Sequence, residues 1–394
     1  MNYTNIETPD ELARFCEQIR DEPLIGFDTE FVAEDSYRTE LCLIQVTAGS
    51  HLAIIDTIAC RDVEPFWRVL AAPGHETLVH AGREEFRFCH NAIGQRPCGW
   101  FDIQLAAGMV GMEFPAAYST LVSRVLGESL KKGETRTDWR RRPLTQRQID
   151  YALLDVVYLT DIHAHLVKRL TEMERLAWLR EELELWQSNL EHVGNTEQWR
   201  RVSGIAGLNA RQLAIVRELW RWRESEAEQR NRPAKRILRD DLIIELSRRQ
   251  TAAPDRIRAI RGLERRDIQK HVGSLAKAID RALRLPDDEC PRPPRRNNRQ
   301  PLTLLGQFLA TALSAVCRES QIAPNLVGGA QDIRDLVAFR LNLDKRGTDE
   351  LPALAKGWRA DVVGHTIDEL LAGEIAVRVE SPLSDQPLAL ERRE

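Results

Sequence analysis

The chain has 394 residues, 43% hydrophobic and 29% charged, with a formal net charge of −4. That is the composition of a folded globular protein of two or three domains, and it excludes disordered, collagenous and membrane-spanning classes. The seven cysteines contain no CxxC pair, which excludes a zinc framework of that kind and points to a reducing compartment.

The opening MNYTNIETPDEL has neither the basic nor the apolar part of a signal sequence, and no run approaches about 18 consecutive apolar residues, so neither export nor membrane spanning is expected. Leu24 to Phe31, Leu41 to Thr47 and His51 to Asp56 are short strand-like runs, the third preceded by the turn TAGS. They read as a three-stranded antiparallel meander. DVEPFWRVLA then reads as a helix, TLVH as a strand, and REEFRFCHNAI as a helix with Phe86, Cys89 and Ile93 on one face. A strand around Trp100 to Ile103 completes a mixed α/β sheet, with Asp102 as the N-cap of the next helix.

From about Gly204 helical periodicity takes over, in Ala210 to Gln229, in DDLIIELSRR and in Leu275, Ile279 and Leu283. The Pro-rich stretch Leu285 to Pro301 reads as a linker, and Leu302 to Leu371 as a second helical unit before an unassigned tail. Gly204 to Leu285 carries 20 Lys+Arg against 11 Asp+Glu, a basic module on an otherwise acidic chain. Nucleic acid held by one part and processed by another fits that distribution.

The carboxylates are placed where an apolar core should be. In IGFDTEF, Asp28 and Glu30 leave an otherwise buried strand on the same face, roughly 7 Å apart, and need a cation between them. Glu84 and Glu85 follow the strand ending near His80, in a first helical turn that favours acids in any case. Tyr151 and Asp155 are four apart and share a helix face. Asp28, Glu30, one of Glu84 or Glu85, and Asp155 together supply the oxygen donors of a hard divalent ion. Just upstream, KKGETRTDWRRRPLTQR offers Lys131, Lys132, Arg136, Arg140 and Arg141 to phosphates and Trp139 as a stacking face. In the helical module, Arg223, Lys235 and Arg236 are expected to contact a nucleic-acid backbone.

FDTEF, HAGREEF and DWRRRPLTQRQIDYALLDVVYL resemble the three exonuclease motifs of the ribonuclease D family, in the DEDDy group of 3′-to-5′ exonucleases. The resemblance runs from about Thr8 to Leu170. LNARQLAIVRELWRWRESEAEQRNRPAKRILRDDLIIELSRR resembles the HRDC domain that follows, and Leu302 to about Gly373, with GWRADVVG, is similar to a degenerate second one. It implies an α/β RNase H-like exonuclease domain (1–175), a helical connector (176–203), an HRDC domain (204–286), a linker (287–300), a second small all-α HRDC-like domain (301–375) and a tail (376–394).

It also implies catalysis by two Mg²⁺ or Mn²⁺ ions on Asp28, Glu30, Glu85 and Asp155, with Tyr151 orienting the attacking water. The expected substrate is a single-stranded RNA 3′ end, precursor tRNA above all. A cytoplasmic monomer with no obligate protein partner is expected. The family normally has Asp at the position of Glu85, which keeps the charge and adds one methylene. A nuclease-impaired RNA-binding protein and a 3′-to-5′ DNA exonuclease are the alternatives.

Overall fold

The computed structural model describes residues 1–130, 137–192, 198–264, 266–292, 300–343, 351–384 and 387–392. The first elements are β1 (Thr4–Ile6), α1 (Pro9–Ile19), β2 (Leu24–Val32), β3 (Glu40–Ala48), β4 (His51–Asp56), α2 (Glu64–Ala71), β5 (Glu76–Val79), α3 (Arg83–Ile93) and β6 (Trp100–Asp102). There follow α4 (Ile103–Met109), α5 (Tyr118–Leu126), α6 (Gln146–Val157), α7 (Leu159–Glu172) and α8 (Leu176–His192). The six strands form one mixed sheet in the order β1-β4-β3-β2-β5-β6. The meander is present, β2, β3 and β4 lying side by side, with β3 antiparallel to β4 and Gln45 opposite Ile54.

β1 and α1 are additions to the sequence reading. β1 has three residues, too few for alternation to register, and pairs parallel with β4. α1 starts with a capping box in which Thr8 and Glu11 satisfy each other's backbone N–H groups.

Both faces of the sheet are covered. Phe27 meets the rings of Phe66 and Trp67 on α2 edge-on at 5.8 and 5.9 Å. On the opposite face Gly26 admits Thr47 and Leu159, both of which a Cβ there would touch. β5 is shorter than β2. Leu24, Ile25 and Gly26 pair with Glu76, Thr77 and Leu78, so β5 stops level with Phe27 and β2 runs on past it through Asp28 and Glu30.

The chain divides into two compact units. Met1–Glu30, Cys42–Asn189 and Asn298–Glu394 form the first; Phe31–Leu41 and Leu190–Asn297 form the second. Within the first unit the C-terminal helices are anchored by buried arginine. Arg175 donates to the carbonyls of Met109 and Gln321 at 2.7 Å each, and to that of Ser320. Arg359 donates to Glu182 at 2.6 and 2.9 Å, and Trp358 Nε1 donates to the same carboxylate at 3.1 Å. Gly111, at φ +83°, lies so close to Gln321 that a Cβ would be 2.9 Å from its backbone. The tail unassigned by sequence contains an antiparallel hairpin, Ile375–Val379 with Leu388–Arg392.

The second unit is built on α9 (Ala210–Gln229), α10 (Ala234–Ile237) and α11 (Asp240–Arg249) with the helix Val272–Arg284. Its core includes Leu213, Val216, Leu219, Ile243, Leu246, Leu275 and Ile279. Arg223, expected to contact RNA, is a correction: it is only 5% exposed and donates to Asp240 at 2.6 Å and to the Leu238 carbonyl at 3.1 Å. It lies four residues after Leu219, on the apolar stripe of α9, where its charge needs a buried partner. Arg223→Ala is therefore expected to destabilise the folded chain by about 3 kcal/mol in denaturant unfolding. Affinity for single-stranded RNA at a temperature where the variant is folded is expected to stay within about twofold; a stable variant with weakened binding would reverse this assignment.

Candidate active site

Three elements bring the predicted carboxylates to one end of β2. Asp28 and Glu30 alternate with the buried Phe27 and Thr29 and keep partial solvent access. Glu85 enters from the first turn of α3, above the end of β5, and is 5% exposed. Glu84 turns away and pairs with Arg87 at 2.8 Å. Asp155 comes from α6, a helix that begins with a Thr145/Gln148 capping box.

The electrostatics are those of crowded anions. Burial, then the charges of Glu85, Asp155 and Glu30, pushes Asp28 well above the carboxylate range. Burial, then Asp155 and Glu85, pushes Glu30 up to about 8. Burial alone carries Asp155 up to about 7, against the hydrogen bond from Tyr151. Glu85 is also pushed up to about 7 by burial, although Thr29 Oγ1 donates to its Oε1 at 2.5 Å. Among the described residues no cation figures among the main influences on Asp28, Glu30 and Asp155. Among the described residues no three His, Cys, Asp or Glu side chains already meet as a ligand cage. Four mutually repelling carboxylates have no reason to close up without a positive charge between them, and in kind they are the donor set a hard divalent ion takes.

Tyr151 is half-buried beside Asp155. Burial, then the charges of Asp155, Glu30 and Asp28, raises its phenol above the ordinary tyrosine value, so it is a hydrogen-bond donor here and not a base. Trp139 is a second correction. It is 4% exposed and packs 6.3 Å from the Tyr151 ring, covering the tyrosine instead of offering an open stacking face.

The loop that carries Trp139 is fastened by Arg142. Its guanidinium donates to Asp56 Oδ1 at 2.8 Å, to the Trp139 carbonyl at 2.7 Å and to the Cys42 carbonyl at 2.9 Å. Burial pushes Asp56 up, but the Arg142 hydrogen bond and the N–H groups of Ala59 and Ile58 outweigh it and hold the group below its usual value. Arg140 pairs with Asp138 at 2.8 Å, and Arg141 is largely exposed. Lys235 and Arg236 are exposed, the latter paired with Asp35 at 2.9 Å. Lys131, Lys132 and Arg136 lie outside the described residues.

One supporting residue, and a second role for another, lie outside the sequence reading. Asp102 caps α4 as expected, with Oδ1 2.8 Å from the Gln104 amide, but it also accepts the amides of Ala81 and Gly82 at 3.0 and 3.1 Å. Ala81 stands at φ +54°, so Asp102 holds a left-handed turn that aims α3, and with it Glu85. Thr29 was passed over because its side chain leaves β2 on the face opposite Asp28; the extra methylene of Glu85 was the signal that a partner was needed.

Residues 3–171 match the 3′-5′ exonuclease family model, and residues 212–279 match the HRDC domain model. Ribonuclease D of Granulibacter bethesdensis is 33% identical over 385 residues, 96% of this chain and 94% of that protein. The Escherichia coli ribonuclease D is 31% identical over 376 residues, 94% and 99% of the two chains. The chain belongs to the ribonuclease D family. The crystal structure of the Escherichia coli RNase D, described as an exoribonuclease involved in structured RNA processing, superposes with a TM-score of 0.81 at 29% identity, covering 95% of this chain and 99% of that one. The ribonuclease D assignment makes this chain a 3′-to-5′ exoribonuclease with an HRDC domain.

The carboxylate values carry a stability consequence. Unfolded Asp and Glu titrate near about 4, whereas folded Glu85 and Asp155 titrate at about 7 and Glu30 at about 8. Between those limits the folded state binds more protons, so stability falls as pH rises through the window. The melting temperature of metal-stripped protein is expected to drop steadily from about pH 5 to about pH 8.5, and millimolar Mg²⁺ to restore it at the upper end. A flat or rising profile in chelator would contradict the grouping of these carboxylates.

Proposed function

We propose that the chain removes nucleoside 5′-monophosphates one at a time from single-stranded RNA 3′ ends, precursor tRNA among them. Two divalent ions, Mg²⁺ or Mn²⁺, would be held by Asp28, Glu30, Glu85 and Asp155. The observation that carries this reading is the gathering of four carboxylates, from β2, α3 and α6, all raised by burial, Asp28 and Glu30 raised further by the charges of the others, with no cationic side chain of the described residues among the main influences on Asp28, Glu30 and Asp155. Oxygen-only donors favour Mg²⁺ or Mn²⁺ over zinc, which prefers nitrogen and sulfur. Bound there, such ions supply Lewis acidity and lower the pKa of water.

The chain's own groups do the positioning. Tyr151 keeps its proton and directs it toward Asp155, fixing where a nucleophilic water can stand. Trp139 and the Arg142 staple keep that tyrosine in place. Arg140 and Arg141, on the same loop, and Lys235 and Arg236, in the second unit, face solvent and suit phosphate contact. All seven cysteines are free, in keeping with a cytoplasmic protein, and we place it there as a monomer.

Asp28→Asn and Asp155→Asn are expected to slow digestion of a 3′-labelled single strand by on the order of 10³-fold. Tyr151→Phe is expected to cost about 10- to 100-fold, the price of a misplaced water. Digestion by Asp28→Asn at the wild-type rate would sink the proposal. DNA digested faster than RNA with the same 3′ tail would move the substrate class.

A further inference from the structure

β3 carries a polar side chain that the site as described does not use. Gln45 is 0% exposed, and neither Nε2 nor Oε1 has a hydrogen-bond partner among the described residues. Nearly all buried polar side chains are paired, and a Leu or Met of similar volume would be cheaper here.

Its position follows from register. β2 and β3 are neighbours joined by seven residues, 33–39, and a parallel crossover needs a dozen or more, so the pair is antiparallel. A Cβ at Gly26 would lie 2.7 Å from Thr47 Cγ2, so Gly26 and Thr47 stand side by side. Two residues onward in β2 and two back in β3 place Gln45 beside Asp28, on the same face of the sheet. On its other side Gln45 is in register with Ile54 of β4, and α6, the helix of Tyr151 and Asp155, packs on β4.

We propose that Gln45 is a positioning residue for the carboxylate site: its buried amide donates to Asp28 when the carboxylates gather around a divalent ion, and so fixes how Asp28 is presented. The assignment rests on reading that site as a cation site. With no other partner among the described residues, the amide is left to serve Asp28, so Gln45 favours the arrangement in which the carboxylates gather. A side chain serving packing alone would do neither.

The test uses the full chain with Gln45→Met, which keeps the volume and removes the amide. Metal-free Gln45→Met is expected to melt at or above the wild-type temperature. It is expected to need about tenfold more Mn²⁺ for half of the Mn²⁺-induced rise in melting temperature. Its kcat on a single-stranded RNA is expected to fall about tenfold, with KM within twofold. A variant matching wild type in both Mn²⁺ response and kcat would overturn the role of Gln45 alone. A wild-type protein with neither Mn²⁺ response nor digestion would overturn the cation site, and this assignment with it. If Gln45→Met does not fold, wild type with ¹⁵N-glutamine decides: the Gln45 side-chain amide, assigned through its backbone, must shift when Mg²⁺ is added, and an unmoved signal overturns the proposal.

Discussion

Everything around the end of β2 answers one constraint: four carboxylates share a desolvated neighbourhood in which, among the described residues, no side-chain cation is a main influence on Asp28, Glu30 or Asp155. Their mutual repulsion opposes folding, so the elements that carry them have to be fixed from outside the cluster. β5 stops level with Phe27 and leaves Asp28 and Glu30 beyond its end. Asp102 ties down the left-handed turn that launches α3. Arg142 fastens the loop that leads into α6 to β3 and β4, and Thr145 caps that helix. Each anchor is a charged or capping group bonded to backbone, so the site's precision is set by rigid elements instead of by the carboxylates' own contacts.

Glu85 is a glutamate where an aspartate would carry the same charge on a shorter side chain. A longer side chain adds a rotatable bond and the freedom to swing away from the site. Thr29 removes that freedom by donating to Oε1 at 2.5 Å from within the strand that bears Asp28 and Glu30. One carboxylate oxygen is thereby anchored. The methylene that looks like a departure in sequence is taken up by a contact that aspartate is too short to make in the same way.

Most of the sheet was legible because alternation and turn residues are strong local signals. His51–Asp56 has the bounds its pattern predicts, and α3 starts and ends where the apolar spacing places it. β1 escaped because three residues carry no period and its stability comes from pairing with β4. The carboxylates could be found from their parity and spacing, since charge in an apolar run is costly unless used. The basic residues could not be sorted that way. Arg223 and Trp139 look like surface ligands in a window of sequence, and only tertiary burial shows that one neutralises Asp240 and the other covers Tyr151. The α9 stripe through Val216 and Leu219 did contain the hint for Arg223; the irregular loop around Trp139 contained none.

The basic surplus of the helical unit takes on a different meaning once its ion pairs are seen. Glu218 alone has Arg217, Arg221 and Arg281 within salt-bridge distance, and Arg230, Arg239, Arg249, Arg258 and Arg284 each have an acidic neighbour. The exposed pairs among these contribute little to stability, but together they leave the net positive charge in place. That charge acts as a field that raises the local concentration of a polyanion. The unit also holds a piece of the nuclease sequence. Phe31–Leu41, which begins at the residue after Glu30, belongs to it: Arg38 donates to Glu228 at 2.9 Å, its amide donates to Asn231 at 3.0 Å, and Asp35 pairs with Arg236. The strand that presents Asp28 and Glu30 thus continues directly into residues bonded to the helical unit. A basic helical unit is, by covalent continuity, joined to the strand that carries Asp28 and Glu30.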